Sequence, residues 1–281
     1  MNSLADFLKF IRFSHTVFAL PFALGAMFVA ADGLPPLGIF LGILAAMVCA
    51  RTAAMTFNRL ADWEFDRRNP RTENRHRLVG RSTAVVWCLV ASAGFLVAAW
   101  ALNPLCFFLS PVALALVFFY SLTKRFTPLA HFFLGLALSV APVGAWLAVR
   151  GTWDFPPLVL AAAVLFWVAG FDVIYATQDY EVDRREGLHS LVVRFGVRGA
   201  MRFAILLHVL ALAGLLGFGK AAGAGGVYFV SMGIVAAALC YEHLEARRGD
   251  IDSINRAFFH ANTIVGVAFV AGTLLDHLGP T

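Results

Sequence analysis

Runs of about 20 apolar residues recur along the chain, the length a helix needs to cross a bilayer at a rise of about 1.5 Å per residue. They fall at roughly 14–31, 37–57, 84–101, 104–121, 130–149, 157–177, 203–219, 225–240 and 259–275, nine in all. The runs are continuous, not alternating, so they read as helices and not as the strands of a membrane barrel. Some are joined by tight turns, such as Gly33-Leu34-Pro35-Pro36 and Asn103-Pro104, while other connections are long and charged. The first run follows Lys9 and Arg12 and ends in Ala30-Ala31, much as a signal peptide would. Eight further runs make an uncleaved first helix the better reading. With no soluble insert and no low-complexity tract, residues 1–281 are expected to form a single transmembrane domain.

Composition agrees. The chain is 60% hydrophobic and 14% charged, with a mean hydropathy of +0.78. A soluble domain carries about 25% charged residues and needs polar surface that this chain lacks. A net charge of +5 would fit nucleic-acid binding if the bases shared a face, but they cluster in loops between the apolar runs. Nineteen of the 22 Lys and Arg fall on the N-terminal side when the sides are counted alternately, two fall on the other, and Arg51 lies inside the second run. That asymmetry places the N-terminus in the cytoplasm and the C-terminus opposite. Cys49, Cys88, Cys106 and Cys240 show no metal spacing and read as small core residues. The 27 Phe read mainly as lipid-facing packing.

Orientation needs bases only, yet 14 of the 17 acids share the cytoplasmic side. Two clusters stand out among them, Asn58 to Asp66 at the end of the second run and Asp172 to Asp183 at the end of the sixth. Residues four apart share a helix face. Asn58, Asp62 and Asp66 therefore form one stripe of oxygen ligands, Asp179 and Asp183 a second, and Asp172 extends the second deeper. Acids so placed repel one another and are costly near lipid unless a cation lies between them. Oxygen donors without Cys or His select Mg²⁺ or Ca²⁺, and Mg²⁺ is commonly shared between carboxylates and substrate phosphates. Asp62 to Asp179 and Asp66 to Asp183 are each 117 residues apart, and both clusters end in Asp-Arg-Arg, a faint internal repeat. Arg67, Arg68, Arg184 and Arg185 then serve either as topology charges or as oxyanion partners, with Lys124 and Arg125 after Tyr120. Arg51, one charge within a span, points to function more than to structural pairing. Asp172 reads equally well as a structural acid paired to a neighbour. Acids for metal, bases for oxyanions and an apolar surround together describe a site for a lipid diphosphate.

Asn58-xxx-Asp62-xxx-Asp66 with Arg71-Thr72, together with Tyr175-xxx-Asp179-xxx-Asp183, resembles the two aspartate-rich motifs of the UbiA superfamily of intramembrane prenyltransferases. Tyr120-xxx-Lys124 is similar to that family's third motif, and nine spans is its number. The runs Ala50-Arg51-Thr52-Ala53-Ala54-Met55 and Arg184 to Ser190 resemble the bacterial 4-hydroxybenzoate polyprenyltransferase-like branch, which includes members assigned to ubiquinone and to menaquinone synthesis. In one respect the chain departs from the family. Where Arg-Pro-Leu is common before a Gly turn, this sequence reads Arg75-His76-Arg77-Leu78-Val79-Gly80, so the roles of His76 and Arg77 and the capping of the site stay open.

The resemblance implies an all-α membrane protein of nine transmembrane helices around a central cavity open to the cytoplasmic side. It implies a multi-pass protein of a bacterial-type inner membrane. Asn58, Asp62, Asp66, Asp179 and Asp183 would hold two Mg²⁺ ions on a polyprenyl diphosphate, with Arg67, Tyr120, Lys124 and Arg184 on the diphosphate itself. Arg12 and Arg51 would take the carboxylate of an aromatic acid acceptor, with Asp172 or Asp179 aiding ring deprotonation. The acceptor is expected to be 4-hydroxybenzoate, with a dihydroxynaphthoate as the alternative. A cation-coupled transporter is the rival from another class, but its acids would sit near the bilayer midplane and not beside arginines. A CDP-alcohol phosphotransferase would carry a compact one-helix signature that is absent here.

Overall fold

The computed structural model describes residues 4–11, 18–68 and 72–278, without the side chains of residues 4, 5, 75 and 76. Every regular element among the described residues is helical. In chain order these are α1 (Leu4–Phe10), α2 (Leu20–Ala31), α3 (Leu37–Ala61), α4 (Trp63–Arg68), α5 (Arg81–Leu102), α6 (Pro104–Thr123), α7 (Ala130–Arg150), α8 (Pro156–Ala176), α9 (Tyr180–Arg185), α10 (Leu191–Ala221), α11 (Gly226–Ala246), α12 (Ile251–Arg256) and α13 (Asn262–Leu278). Among the described residues eight helical stretches are long and apolar enough to cross a membrane, counting α8 through α9 and α12 through α13 as one stretch each. The chain is thus a multi-pass membrane protein. The first expected run appears as α2, apolar but only 12 residues long, and residues 14–17 lie outside the described set.

The turns follow from local chemistry. After α2, Asp32 takes a left-handed conformation (φ 51°), its N–H bonds Val29 O, and the Gly33 N–H reaches back to Phe28 O at 3.0 Å. That closes the last carbonyls of the helix before Pro35-Pro36 forbids continuation. Asn103 both ends α5 and caps α6: its side-chain oxygen accepts from Cys106 N at 2.9 Å, and Pro104 fills the first helical position. Ser190 caps α10 by accepting from Val193 N at 3.1 Å. Gly196, at φ 68° and ψ 165°, breaks that helix near its start, which is why α10 begins about twelve residues before its apolar run.

The chain forms two compact units, residues 1–16 with 37–122, and residues 17–36 with 123–281. In the first, α3 and α5 pack along their lengths, and Phe57 stacks on Phe118 of α6 at 4.5 Å. α1 buries Phe7, Phe10 and Ile11 against Val79 and Ala84, with Phe7 stacked on Trp87.

In the second unit α8 is central. Small residues let neighbours approach it: a Cβ at Gly135 of α7 would press into the Leu165 carbonyl, and one at Gly214 of α10 would meet Ala163. An aromatic core of Phe18, Phe22, Trp167, Phe171, Phe258 and Phe269 joins α2, α8 and α13. Many phenylalanines therefore pack internally, where the composition had pointed to lipid. All four cysteines are free thiols, and of them only Cys88 is buried, so the expected core role holds for that one.

Candidate active site

The first acid cluster is built where α3 gives way to α4. Asp62 stands between α3 and α4, but the backbone bonds Asp62 N to Asn58 O (2.9 Å) and Asp66 N to Asp62 O (2.8 Å) continue across it. The four-residue spacing is therefore kept, and Asn58, Asp62 and Asp66 follow one another turn by turn. Asn58 donates its Nδ2 to Asp62 Oδ2 at 3.2 Å and to Ser121 Oγ of α6 at 3.4 Å. Ser121 neighbours Tyr120, which interacts electrostatically with Arg51, Arg59 and Asp62. Thr72 donates to Asp66 O at 3.0 Å and closes the end of α4.

Arg59, counted from sequence only as a topology charge, is part of this constellation. It is 6% exposed, donates from Nε to Phe10 O at 3.2 Å and from Nη1 to Asn58 Oδ1 at 3.4 Å, and places Nη1 3.8 Å from Asp66 Oδ2. One guanidinium thus fixes α1 to α3 and offsets the charge of the acid row. Its adjacency to Asn58 was visible, but nothing in the pattern said that it turns inward.

The second cluster lies in the other unit. The expected unbroken stripe from Asp172 to Asp183 is corrected here. α8 ends at Ala176, a 3₁₀ turn spans Thr177–Asp179, and α9 resumes at Tyr180. A tighter turn rotates the chain by about 120° per residue instead of 100°, which displaces Asp172 from the line of Asp179 and Asp183. Both of the latter are buried, at 8% and 5% exposure. Lys124 Nζ stands 3.7 Å from Asp183 Oδ2, and the backbone holds the pair in place: His189 N donates to Lys124 O at 2.7 Å and Leu188 N to Asp183 O at 2.8 Å.

Asp183 Oδ2 is shut off from solvent and has no partner within hydrogen-bond distance, only the Lys124 ammonium at 3.7 Å. A buried carboxylate oxygen without a donor is costly, and it fits a divalent cation as its counterpart. Among the described residues no three His, Cys, Asp or Glu side chains converge as a complete metal cage. Two carboxylates with the remaining ligands supplied by phosphate and water is the arrangement Mg²⁺ favours.

Other expected residues are placed less decisively. Arg67 pairs with Glu64 at 3.7 Å with both side chains more than half exposed, and Arg184 is exposed on α9. Arg51 lies within α3 in the first unit, and Arg12 falls outside the described residues, as does the side chain of His76. Asp172 is not a lone acid: its Oδ2 lies 2.6 Å from Nδ1 of the fully buried His131 of α7.

The model of the UbiA prenyltransferase family matches residues 19–264. The chain belongs to that family. A 4-hydroxybenzoate octaprenyltransferase from Azoarcus sp. (strain BH72) is 34% identical over 261 residues, covering 91% of this chain and 89% of that one. The apo structure of a UbiA homolog from Aeropyrum pernix K1 superposes with a TM-score of 0.85 at 31% identity, covering 93% of this chain and 98% of the other. A UbiA homolog from Archaeoglobus fulgidus bound to GPP and Mg²⁺ shares the fold, with a TM-score of 0.75 at 21% identity over 98% of this chain and all of the other. This UbiA-family protein is an enzyme that transfers prenyl groups.

A further polar cluster of the prenyltransferase went unread in the sequence. The eighth apolar run was expected to stop at 240, which left Glu242 and His243 in a loop, but α11 continues to Ala246. Glu242 is completely buried and accepts from Asn262 Nδ2 at 3.4 Å; His208 Nδ1 lies 2.9 Å from His243 Nε2 and 3.8 Å from Glu242 Oε2. His208 packs against Gly170 of α8, where a Cβ would collide with its ring.

Proposed function

We propose that this prenyltransferase moves a polyprenyl group from a polyprenyl diphosphate to an aromatic acid, with 4-hydroxybenzoate as acceptor, in quinone synthesis at a bacterial-type inner membrane. The observation that carries the reading is Asp183, a buried carboxylate with an oxygen that no donor satisfies, beside Lys124 in a motif of the family. The relatives named as 4-hydroxybenzoate octaprenyltransferases support the acceptor and the long donor.

In this reading both acid motifs serve one diphosphate. Asn58, Asp62, Asp66, Asp179 and Asp183 would hold Mg²⁺, which when bound supplies positive charge to the leaving diphosphate. Lys124, Tyr120, Arg67 and Arg184 bind diphosphate oxygens, so charge that grows on leaving meets groups already oriented. The prenyl C–O bond breaks with its electron pair on the diphosphate, a ring carbon of the acceptor supplies the pair for the new C–C bond, and the ring then loses a proton. Arg12 and Arg51 hold the acceptor carboxylate, and Asp172 receives the proton. The surrounding apolar helices keep water from the allylic cation. Residues 1–281 act as one domain, with the acid ends and the N-terminus on the cytoplasmic side.

Protein in nanodiscs, given farnesyl or a longer prenyl diphosphate with each of 4-hydroxybenzoate, 1,4-dihydroxy-2-naphthoate and 1,4-dihydroxy-6-naphthoate, tests this by mass spectrometry of the products. The expected result is prenylated 4-hydroxybenzoate with Mg²⁺ and none with EDTA. Product only from a naphthoate would move the enzyme to menaquinone synthesis, and no product from any ring would overturn the acceptor class.

A further inference from the structure

The proposed reaction needs a base on the ring, and Asp172 alone at membrane depth would be a poorly directed one. Asp172 lies seven residues before Asp179, on α8 ahead of the 3₁₀ turn that carries Asp179. It is 22% exposed and has one oxygen committed: Oδ2 is 2.6 Å from His131 Nδ1. His131 itself is fully buried in the first turn of α7, and its Nε2 is enclosed without a hydrogen-bond partner.

That environment selects the tautomer. A proton on Nε2 would be a donor buried with nothing to accept it, which is costly. A proton on Nδ1 alone satisfies both constraints, donating to Asp172 Oδ2 and leaving a lone pair on the enclosed nitrogen. The imidazole then fixes the carboxylate plane, and that bond leaves the second oxygen, Oδ1, uncommitted.

We propose that His131 is the positioning residue for Asp172, aiming Oδ1 at the hydroxyl and ring proton of the aromatic acceptor. This rests on the prenyl-transfer reading above. The acceptor O–H bonds to Asp172 Oδ1 and enriches the ring as the C–C bond forms; the C–H electron pair then restores aromaticity while the proton passes to that carboxylate and on to water. A hydrogen-bonded partner that orients a functional group typically affects activity by about 10–100-fold. His131 also acts electrostatically on Asp183, so the split between kcat and KM for the prenyl diphosphate reports which of the two acids it serves.

The test compares His131→Leu, His131→Gln and His131→Asn in nanodiscs with 4-hydroxybenzoate and farnesyl diphosphate. The side-chain amide nitrogen of Asn can take the place of Nδ1, whereas that of Gln reaches the place of Nε2. H131L and H131Q are expected to lose about 10–100-fold in kcat with KM for farnesyl diphosphate unchanged, and H131N to return to within a few-fold of the parent. Equal kcat in H131L and the parent, or equal loss in H131N and H131Q, overturns the proposal while leaving prenyl transfer intact. A parent protein that turns over no ring at all overturns the underlying reading instead, and the dyad's role with it. If H131L fails to fold, the Asn and Gln pair, both polar and close in size, decides alone.

Discussion

At the scale of single residues, the site spends stability on function. Asp183 keeps a carboxylate oxygen buried without a donor, 3.7 Å from the nearest ammonium. Such a group costs more to bury than a neutral amide of the same shape. Asp183→Asn is therefore expected to lower kcat by at least about 100-fold, since in the proposed reaction it removes charge from the site that neutralises a leaving diphosphate. Its melting temperature should be equal to the parent's or higher. Retained turnover with a lower melting temperature would make Asp183 a structural acid and remove it from the active site. Arg59 contrasts with it, because its bond to Phe10 O ties α3 to α1 and its guanidinium faces Asp66 of α4.

At the scale of elements, the second unit depends on how closely helices approach α8. Lipid gives apolar helices no hydrophobic reason to associate, so close packing and internal hydrogen bonds must do it. Gly135 meets the backbone of Leu165, which cannot rotate away as a side chain would. Gly135→Ala should force α7 off α8 and cost about 1–3 kcal/mol by overpacking. Because α7 carries His131 and α8 carries Asp172, kcat with 4-hydroxybenzoate should fall as well. A differential scan and a rate measurement in detergent check both, and an unchanged melting temperature would show that the helices have slack. A charge-neutral hydroxyl poses no such problem: Thr52, Thr56 and Thr273 each donate back to a carbonyl of their own helix, which satisfies them at membrane depth.

At the scale of the whole molecule, orientation follows from the arginines. With the natural cysteines replaced, Thr152→Cys, next to the single base of its loop, should react with a membrane-impermeant maleimide in intact cells. Arg248→Cys, in the loop of three arginines, should react only after permeabilisation. The reverse labelling would invert the topology and place the acid motifs outside. Both positions are exposed among the described residues, so access through the protein does not limit the reaction.

Length and periodicity of the apolar runs were enough to locate α3, α5, α6, α7 and α8 to within about four residues, because in a bilayer each backbone polar group must be satisfied inside its own helix. The acids at four-residue spacing were legible for the same reason, since helical geometry converts spacing into a shared face, and they led to the family. Where backbone departs from the regular helix, spacing misleads: the 3₁₀ turn at Thr177–Asp179 and the Gly196 break were invisible, as both depend on packing and not on hydropathy. Partners distant in sequence were likewise silent. Nothing near His131 predicts Asp172, nothing near Arg59 predicts the Phe10 carbonyl, and Glu242 looked like a loop acid until α11 carried it into the core. The sequence by itself determined membrane residence, the course of most helices and, through its acid motifs, the family, because these depend on solvent and on local repeat. Only the tertiary structure decided which buried charges meet, because a long-range contact depends on how helices pack and no local period encodes that.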